Sequence, residues 1–430
     1  MNADVLIVGA GSAGSIVAER LSQDTGCRVT VVEPGPGPGD PVAQAMTADG
    51  YVLPIGPGSP VARRYRATLT GHPPRETDLV RGIGVGGSGA VNGGYFWRPY
   101  PGDIDPLPGW SQAELDAHYA AVAARIPIRP VSEFAFATTA FAAAAERAGH
   151  RWEAVPLNIV DGVRTGPGAA FLVPALNRPN LTVLTGTRAT RIAIAGGRAV
   201  GVEAVGPAGP LSLSAGRVVL CAGAIGSAHL LMLSGIGPAG ALRGLGIPVL
   251  ADLPVGRGSC DHPEWVMSTT WRPERDRPVL EAVLAVDGVE IRPYTTGFGA
   301  AVTGVGVALM RPRSRGRVSL VSADPFADPR IEHRYDSEPD DIADLRRGCE
   351  LAAGIIAGET ELGSPVWSTS QHLCGTAPMG AGEHAVVDPR CRVLGVDGLS
   401  VIDGSVLPRI PGRGPHAAIA MLAHRAAEFA

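Results

Sequence analysis

The sequence predicts an α/β fold, in which a doubly wound, Rossmann-like parallel sheet is joined to a second domain built on another sheet. At the N-terminus a short apolar run, a glycine-rich turn and apolar residues at helical spacing follow one another, as in the first half of such a sheet. Between residues 265 and 330 short apolar runs recur between turn residues, which indicates strands crossing a second sheet. The 430 residues, 45% hydrophobic and 18% charged, suit an ordered chain long enough for two domains.

The N-terminal unit predicts a dinucleotide site. Residues 5–8 and 28–32 are expected to be strands, and residues 13–21 the helix between them. The turn reads Gly9-Ala10-Gly11-Ser12-Ala13-Gly14. Its first glycine permits a sharp turn, its second lets the backbone approach a pyrophosphate, and its third lets the helix pack on the strand. Glu33, at the end of the second strand, is expected to bind a ribose hydroxyl and would repel the 2′-phosphate of NADP.

The remaining elements are predicted in chain order. Residues 34–75 are rich in proline and glycine and are expected to be irregular. A helix is expected to start at Ser111, whose spacing to Glu114 is that of a capping box, and to run to about Arg125. The later expectations are a helix over 136–148, a strand–turn–strand over 181–205 that turns at Gly196-Gly197, a strand over 217–220, a helix over 227–233, strands that include 304–310 and 317–321, a helix over 340–356, a strand over 399–402 and a final helix from about His416 to Phe429.

Charge and cysteine content exclude several classes of function. The net charge is −4 and no basic block occurs, so nucleic acid is not expected as a partner. All 37 basic residues are arginine, so no lysine is available as a nucleophile or Schiff base. The six cysteines lack metal-ligand spacing, which predicts no metal site and a reduced, cytoplasmic protein. No apolar run is long enough to span a membrane, and the mature chain is expected to start near Met1.

A second glycine-rich loop, over residues 81–94, predicts close approach to a flat ligand. It contains Gly86, Gly87, Ser88, Asn92 and Gly93, and so many glycines allow the backbone to lie against such a ligand. The serine hydroxyl and the asparagine amide can bind a pyrophosphate or the edge of a ring.

Four further motifs follow in a fixed order, over residues 223–237, 255–263, 372–380 and 387–408. Together with the two glycine motifs they resemble the glucose–methanol–choline (GMC) oxidoreductases, which are FAD-dependent alcohol oxidases and dehydrogenases. The resemblance covers nearly the whole chain. The sequence departs from the family pattern at Ala228, where proline is usual, and at Gly89, where a second serine is usual.

The resemblance implies a division of the chain and a set of site residues. It implies an FAD-binding domain over 1–263 with a helical insertion at about 110–150, a substrate-binding domain over 264–370, and a C-terminal return over 371–430. No histidine occurs between Arg81 and Gly94, which implies that FAD is bound non-covalently. The implied catalytic residues are His372 and His416, and the implied cofactor-binding residues are Gly9, Gly11, Ser12, Ala13, Gly14, Glu33, Gly86, Gly87, Ser88, Asn92, Gly93, Ala189, Ala222, Gly223, Asp403, Gly404 and Ala417.

The two histidines suit the expected chemistry. Alcohol oxidation requires a base for the hydroxyl proton, and a neutral imidazole can serve. A second imidazole can orient and stabilise the alkoxide. Which of His372 and His416 is the base stays open at this point, and His262 is as consistent with a structural role as with a functional one.

A narrower resemblance concerns residues 54–60 and 63–66, which are similar to an actinobacterial branch encoded beside mycofactocin biosynthesis genes. It implies that reduced mycofactocin (mycofactocinol) is the substrate and that a quinone or redox protein takes the electrons to the respiratory chain. A peripheral position of this cytoplasmic protein at the inner face of the cell membrane is a hypothesis, which no amphipathic basic helix in the sequence supports. The alternatives are a primary-alcohol or choline-like dehydrogenase, an oxygen-using oxidase, a non-catalytic flavin-binding scaffold and a nicotinamide dehydrogenase.

Overall fold

The computed structural model describes residues 2–104 and 110–430; Met1, where the chain is expected to start, lies outside them. The strands are β1 (Asn2–Val8), β2 (Val29–Val32), β3 (Ala62–Gly71), β4 (Pro74–Gly82), β5 (Glu153–Ala154), β6 (Ile159–Val160), β7 (Val163–Arg164), β8 (Leu181–Leu184), β9 (Arg188–Ala195), β10 (Arg198–Gly206), β11 (Gly209–Leu220), β12 (Arg257–Ser259), β13 (Pro263–Ser268), β14 (Ala282–Val286), β15 (Val289–Pro293), β16 (Gly304–Leu309), β17 (Gly316–Ser319), β18 (Arg330–Glu332), β19 (Val366–Thr369) and β20 (Leu399–Val401). The α-helices are α1 (Ser12–Leu21), α2 (Pro41–Ala48), α3 (Gln112–Ala123), α4 (Phe136–Arg147), α5 (Val173–Ala175), α6 (Gly223–Leu233), α7 (Ala239–Gly244), α8 (Pro339–Ile355) and α9 (His416–Ala426).

The first sheet is doubly wound, as the sequence predicts. Its order is β8-β2-β1-β11-β10-β9, and β20 pairs with the end of β11. Strands β8, β2, β1, β11 and β20 are parallel, whereas β10 and β9 continue the sheet as antiparallel strands. Helices α1 and α9 pack together beside this sheet, and their buried faces belong to its hydrophobic core. The parallel strands therefore all end at one edge, where ligands bind in folds of this class.

Two larger sheets complete the described architecture, and β6 pairs with β7 in a small two-stranded sheet. One has the order β12-β17-β18-β3-β4. The other has the order β19-β13-β16-β15-β14-β5, is antiparallel throughout and is covered by α4 and α8. The expected α/β class with a second sheet-based part is confirmed. The domain boundaries at 263 and 370 stay predictions.

The expectation that residues 34–75 are irregular is wrong. Helix α2 forms there because Asp40 caps it, accepting hydrogen bonds from the N–H groups of Val42 and Ala43. Strand β3 forms because it pairs along its length with β4, and arginines on β3 make ion pairs with acidic residues on β4. Its many charged residues hide the strand pattern in the sequence.

Other elements differ from the predictions at their ends. The segment 181–205 forms three strands, with the turn at Gly196-Gly197 as expected. Helix α6 begins at Gly223, earlier than predicted, and α9 ends at Ala426 rather than Phe429. The capping box of Ser111 and Glu114 is present at the start of α3.

Candidate active site

A cavity of about 830 Å³ opens at the carboxyl ends of β1, β2 and β11 and extends to the antiparallel sheet of β13 and β15. This volume lies near the upper end of the usual range for small-molecule and cofactor sites. Most of the predicted site residues line it: Gly9, Gly11, Ser12, Ala13, Glu33, Gly87, Ser88, Asn92, Gly93, Ala189, Ala222, Gly223, His372, Asp403, Gly404 and His416.

The first glycine turn packs tightly against the end of β11. A Cβ atom at Gly9 would lie 2.5 Å from the carbonyl oxygen of Cys221, and the φ of Gly9 is +103°. Gly14 does not line the cavity; a Cβ there would lie 1.9 Å from the carbonyl oxygen of Gly9. Its role is the close packing of helix on strand that the motif predicts.

Glu33 holds the two glycine loops together. Its side chain is buried and accepts hydrogen bonds from three backbone N–H groups, those of Ala10 (2.8 Å), Gly35 (2.9 Å) and Gly84 (2.7 Å). Burial raises the pKa of this carboxyl, and the three hydrogen bonds oppose that effect. Among residues 2–104 and 110–430, Ala10 makes the one hydrogen bond to Oε2, so this oxygen can also accept a ribose hydroxyl.

The second glycine loop interlocks with the first. Gly86, whose φ is +92°, donates its N–H to the carbonyl of Ala10 at 2.8 Å and lies behind the cavity wall rather than on it. A Cβ at Gly87 would lie 2.8 Å from the Cα of Gly11. The hydroxyl of Ser88 accepts the N–H of Gly82 at 3.1 Å. Bare backbone therefore forms the floor of the cavity, which is the surface that a pyrophosphate requires.

Asp403 fixes the start of α6. One of its oxygens accepts hydrogen bonds from the N–H of Gly223 (2.9 Å) and the hydroxyl of Ser227 (2.6 Å), and the other binds Ser405. Ala417, predicted to touch the cofactor, is fully buried in α9 and does not line the cavity.

His372 carries an imidazole whose tautomer is set by its neighbours. The Nε2 of His262 lies 3.0 Å from the carbonyl oxygen of Pro411 and must donate a proton to it. The Nδ1 of His262 is therefore an acceptor, and Nδ1–H of His372 donates to it at 2.9 Å. Among the described residues, no protein group therefore donates to the Nε2 lone pair of His372. The His372 ring lines the cavity.

The backbone holds this pair in place, and burial keeps both rings neutral. Asp261 accepts the N–H groups of His372 (2.8 Å) and His262 (2.7 Å). Burial lowers the pKa of His262 to about 3. The pKa of His372 falls well below its usual value, first because of burial and then because of His262 and Arg292. The sequence is consistent with either a structural or a functional role for His262. Its position in the Asp-His-Pro motif is the feature of the sequence that points to the functional role.

His416 has both ring nitrogens engaged. The side-chain amide of Asn92 donates to Nδ1 at 3.1 Å, so Nε2 carries the proton and donates to the hydroxyl of Ser12, also at 3.1 Å. Its ring meets Phe96 edge to face, with the centroids 4.9 Å apart. Burial lowers its pKa to about 4, so this imidazole too is neutral.

We predict that Gly89→Ala displaces His416. A Cβ atom at position 89 would lie 2.3 Å from the hydroxyl oxygen of Ser12 and 2.6 Å from Nε2 of His416. Because displacements of this size at a catalytic centre cost about 10²-fold in rate, the rate of alcohol oxidation should fall by about that factor while the protein stays folded. Gly39→Ala is the matched control, since a Cβ there meets nothing within 4 Å. An unchanged rate in Gly89→Ala would show that the His416–Ser12 contact is dispensable.

The antiparallel sheet supplies charged and aromatic residues that the sequence analysis did not single out. Glu264 on β13, Arg292 on β15, Tyr294 and Trp367 line the cavity. A charged residue within an otherwise apolar strand is the sequence feature that could have identified Glu264 and Arg292 as site residues.

The residues present fit the expected cofactor. The bare glycine floor, the start of α1 and the buried carboxylate of Glu33 are the donor set that FAD requires at its pyrophosphate and ribose. Within residues 2–104 and 110–430 no group of three or more His, Cys, Asp or Glu residues could hold a metal ion. No helix in the described part of the chain is long and apolar enough to cross a membrane.

Comparison with known proteins confirms the family. Models of the GMC oxidoreductase family match residues 3–264 and 312–423. An uncharacterised GMC-type oxidoreductase of Rhodococcus erythropolis is 38% identical over 99% of this chain and 97% of its own length. An oxygen-dependent choline dehydrogenase of Brucella melitensis is 30% identical over 95% of this chain and 92% of its own length. The crystal structure of a pyridoxine 4-oxidase from Mesorbium loti superposes with a TM-score of 0.90 at 27% identity, over 99% of both chains. The chain therefore belongs to the GMC oxidoreductases, which confirms the expected class of FAD-dependent, alcohol-oxidising enzyme.

Proposed function

We propose that this chain oxidises an alcohol group with non-covalently bound FAD, and that His372 is the base. The observation that carries the assignment is the proton arrangement of the two histidines. In the described part of the chain no protein group donates to Nε2 of His372, which lines the cavity, whereas both ring nitrogens of His416 have protein partners.

The reaction requires a group that takes the hydroxyl proton and a group that takes a hydride from the same carbon. When bound, FAD supplies the hydride acceptor. Nε2 of His372 accepts the hydroxyl proton, and its Nδ1–H bond to His262 holds the ring in the tautomer that leaves Nε2 bare. Because the pKa of His372 is depressed, the base is unprotonated and ready at neutral pH.

In this proposal His416 is a positioning residue. It joins the two glycine loops through Ser12 and Asn92, at the start of α9. The sequence analysis expected both histidines to act on the alkoxide, whereas this proposal gives them different roles. His372 handles the proton, and His416 holds the loops that bind the cofactor.

His262 variants test the proton arrangement. Leucine at position 262 can neither donate to Pro411 nor accept from His372, so we expect His262→Leu to slow flavin reduction by about 10²-fold. Glutamine can do both, so His262→Gln should recover much of the rate. The measurement is the stopped-flow rate of flavin reduction with its pH profile. A purely structural role for His262 predicts equal rates in the two variants and an unaltered pH profile.

We propose mycofactocinol as the substrate, with a quinone or redox protein as the electron acceptor at the inner face of the cell membrane. The resemblance of residues 54–60 and 63–66 to the mycofactocin-associated branch supports this, as does the similarity to a Rhodococcus protein. The test is a parallel anaerobic titration with reduced mycofactocin and with simple primary alcohols. Bleaching of the flavin by simple alcohols alone would contradict the proposal.

An oxygen-using oxidase is the second candidate, because the named relatives include an oxygen-dependent dehydrogenase and an oxidase. Turnover in air distinguishes the two. Stoichiometric hydrogen peroxide would establish the oxidase, and turnover that requires an added quinone would establish the dehydrogenase.

A further inference from the structure

A buried network of charged side chains lies at the cavity, mostly on the antiparallel sheet of β13 and β15. It contains two carboxylates, Glu264 and Glu290, and two guanidinium groups, Arg292 and Arg413, all with relative exposures of 4% or less. Glu264 and Arg292 line the cavity directly. We call these four residues the wall network.

Protein donors hold both oxygens of Glu264. Its Oε1 accepts the hydroxyl of Tyr294, and its Oε2 accepts the hydroxyl of Ser370 at 2.8 Å and Nη1 of Arg292 at 3.3 Å. The backbone leaves room for this arrangement, since a Cβ atom at Gly306 would lie 2.2 Å from Oε1. The carboxylate is neutralised and held by three donors.

Arg292 is saturated. Its Nε and Nη2 donate to one oxygen of Glu290, at 3.1 and 2.8 Å. Its Nη1 donates to Glu264 and to Ser370, and Nη2 also reaches the sulfur of Met310 at 3.4 Å. All five N–H groups of the guanidinium are therefore occupied by protein partners.

Arg413 completes the charge balance. It lies 3.4 Å from Glu290 and 2.7 Å from Glu153, a residue whose side chain is half exposed. Its guanidinium stacks on Trp97, 3.7 Å from the ring centroid. The four buried groups of the wall network carry two negative and two positive charges and are together neutral, whereas the fifth charge, on Glu153, is half exposed to solvent.

The aromatic residues of this wall contact one another rather than forming an open cage. Tyr294 meets Phe298 edge to face at 5.1 Å, and Trp367 stacks on Tyr335 with its edge against Trp265. A cage for a quaternary ammonium group requires several ring faces directed at one point. Here one face of Trp367 is already taken.

We infer, building on the proposed function, that the substrate is an alcohol carried on an uncharged apolar or aromatic body. A neutral wall gives neither a cation nor an anion a net attraction, while either would lose its hydration on entering. The same cavity presents Val266, Val279, Leu280 and Trp367 to a substrate, which favour apolar contact. Choline-type alcohols, the choline-like alternative above, are therefore excluded as preferred substrates.

Two probes of the same shape test the inference in the FAD-loaded enzyme. Choline and 3,3-dimethylbutan-1-ol differ in the charge of one atom and are otherwise nearly identical. We expect kcat/KM for anaerobic flavin reduction to be at least about tenfold higher for the neutral alcohol, because desolvation of the cation is not offset. A preference for choline would overturn the inference.

Binding is measured separately, so that a failure of catalysis is not mistaken for a failure of recognition. Quenching of tryptophan fluorescence reports the affinity of both probes whether or not they react, since Trp367 lines the cavity. Tighter binding of the neutral alcohol, with no flavin reduction by it or by reduced mycofactocin, would retain this inference and refute the proposed function. Tighter binding of choline, or binding of neither probe, would overturn the inference.

Variants of the wall network test its neutrality. Arg292→Gln leaves Glu264 and Glu290 short of a counter-charge, so the ratio of choline to neutral-alcohol affinity should rise about tenfold or more. Tyr294→Phe keeps the ring and frees one oxygen of Glu264, so it should shift the same ratio in the same direction but by less. It remains a test if Arg292→Gln fails to fold. The control is Arg272→Gln, an exposed arginine in the same part of the chain. An unchanged ratio in folded Arg292→Gln or in Tyr294→Phe would contradict the role of the network.

Discussion

Replacing His372 by asparagine should reduce the rate of flavin reduction by an alcohol about 10³-fold, because general base catalysis contributes roughly 10² to 10⁴. Asparagine retains a polar side chain but has no lone pair basic enough to take the hydroxyl proton. The loss should appear in kcat as well as in kcat/KM, since the proton is transferred after the alcohol has bound. The measurement is the limiting rate of anaerobic flavin reduction in a stopped-flow spectrophotometer.

His384→Asn is the matched control, because the side chain of His384 is 92% exposed and lies outside the cavity. It should reduce its flavin at the normal rate. The proton arrangement also predicts that His372 variants are much slower than His416 variants. The reverse order would transfer the role of base to His416 and contradict the tautomers assigned from Pro411 and Asn92.

Replacing Glu33 by glutamine should produce a colourless, less stable protein. In the native protein the carboxylate accepts hydrogen bonds from the N–H groups of Ala10, Gly35 and Gly84. The glutamine amide keeps one acceptor oxygen, but its NH₂ group is a donor and would face one or more of these N–H donors. Each buried donor left without a partner costs about 1–3 kcal/mol, so the free energy of unfolding should fall by about 3 kcal/mol. The two glycine loops would then separate, and FAD binding depends on both.

The measurements for Glu33→Gln are the flavin-to-protein absorbance ratio after purification and the thermal unfolding midpoint of the FAD-free protein. The second reports the loop contact without the contribution of the cofactor. Glu383→Gln, at a side chain that is 88% exposed, serves as the control. Normal flavin content together with a normal midpoint in Glu33→Gln would show that the carboxylate does not join the loops.

The parts of the fold that were predicted correctly are those in which local pattern and tertiary burial agree. Strand β1, the turn at Gly9 and helix α1 are dictated by apolar periodicity and by glycines that no other residue can replace. Strand β3 was missed because its arginines are paired across to β4, and a cross-strand partner is not visible in a local window.

The same distinction applies to the site. His372 was identified by its motif, yet its tautomer depends on Pro411, which approaches only in the folded chain. Likewise, Glu264 and Arg292 are 28 positions apart in sequence. Their opposite charges meet because β13 and β15 both pair with β16. Residue type was therefore predictable, whereas proton positions and charge balance required the fold.

The role of His372 is tested most simply by an anaerobic titration of the purified holoprotein with alcohols, followed in the visible flavin band. We expect an uncharged alcohol to bleach the band in the wild-type protein, whereas His372→Asn should remain yellow on the same timescale. Dithionite should bleach both proteins, which shows that the flavin itself is competent. Bleaching of His372→Asn at the wild-type rate would contradict the assignment of His372 as the base. A wild-type protein that binds flavin but is reduced by dithionite alone would contradict alcohol oxidation.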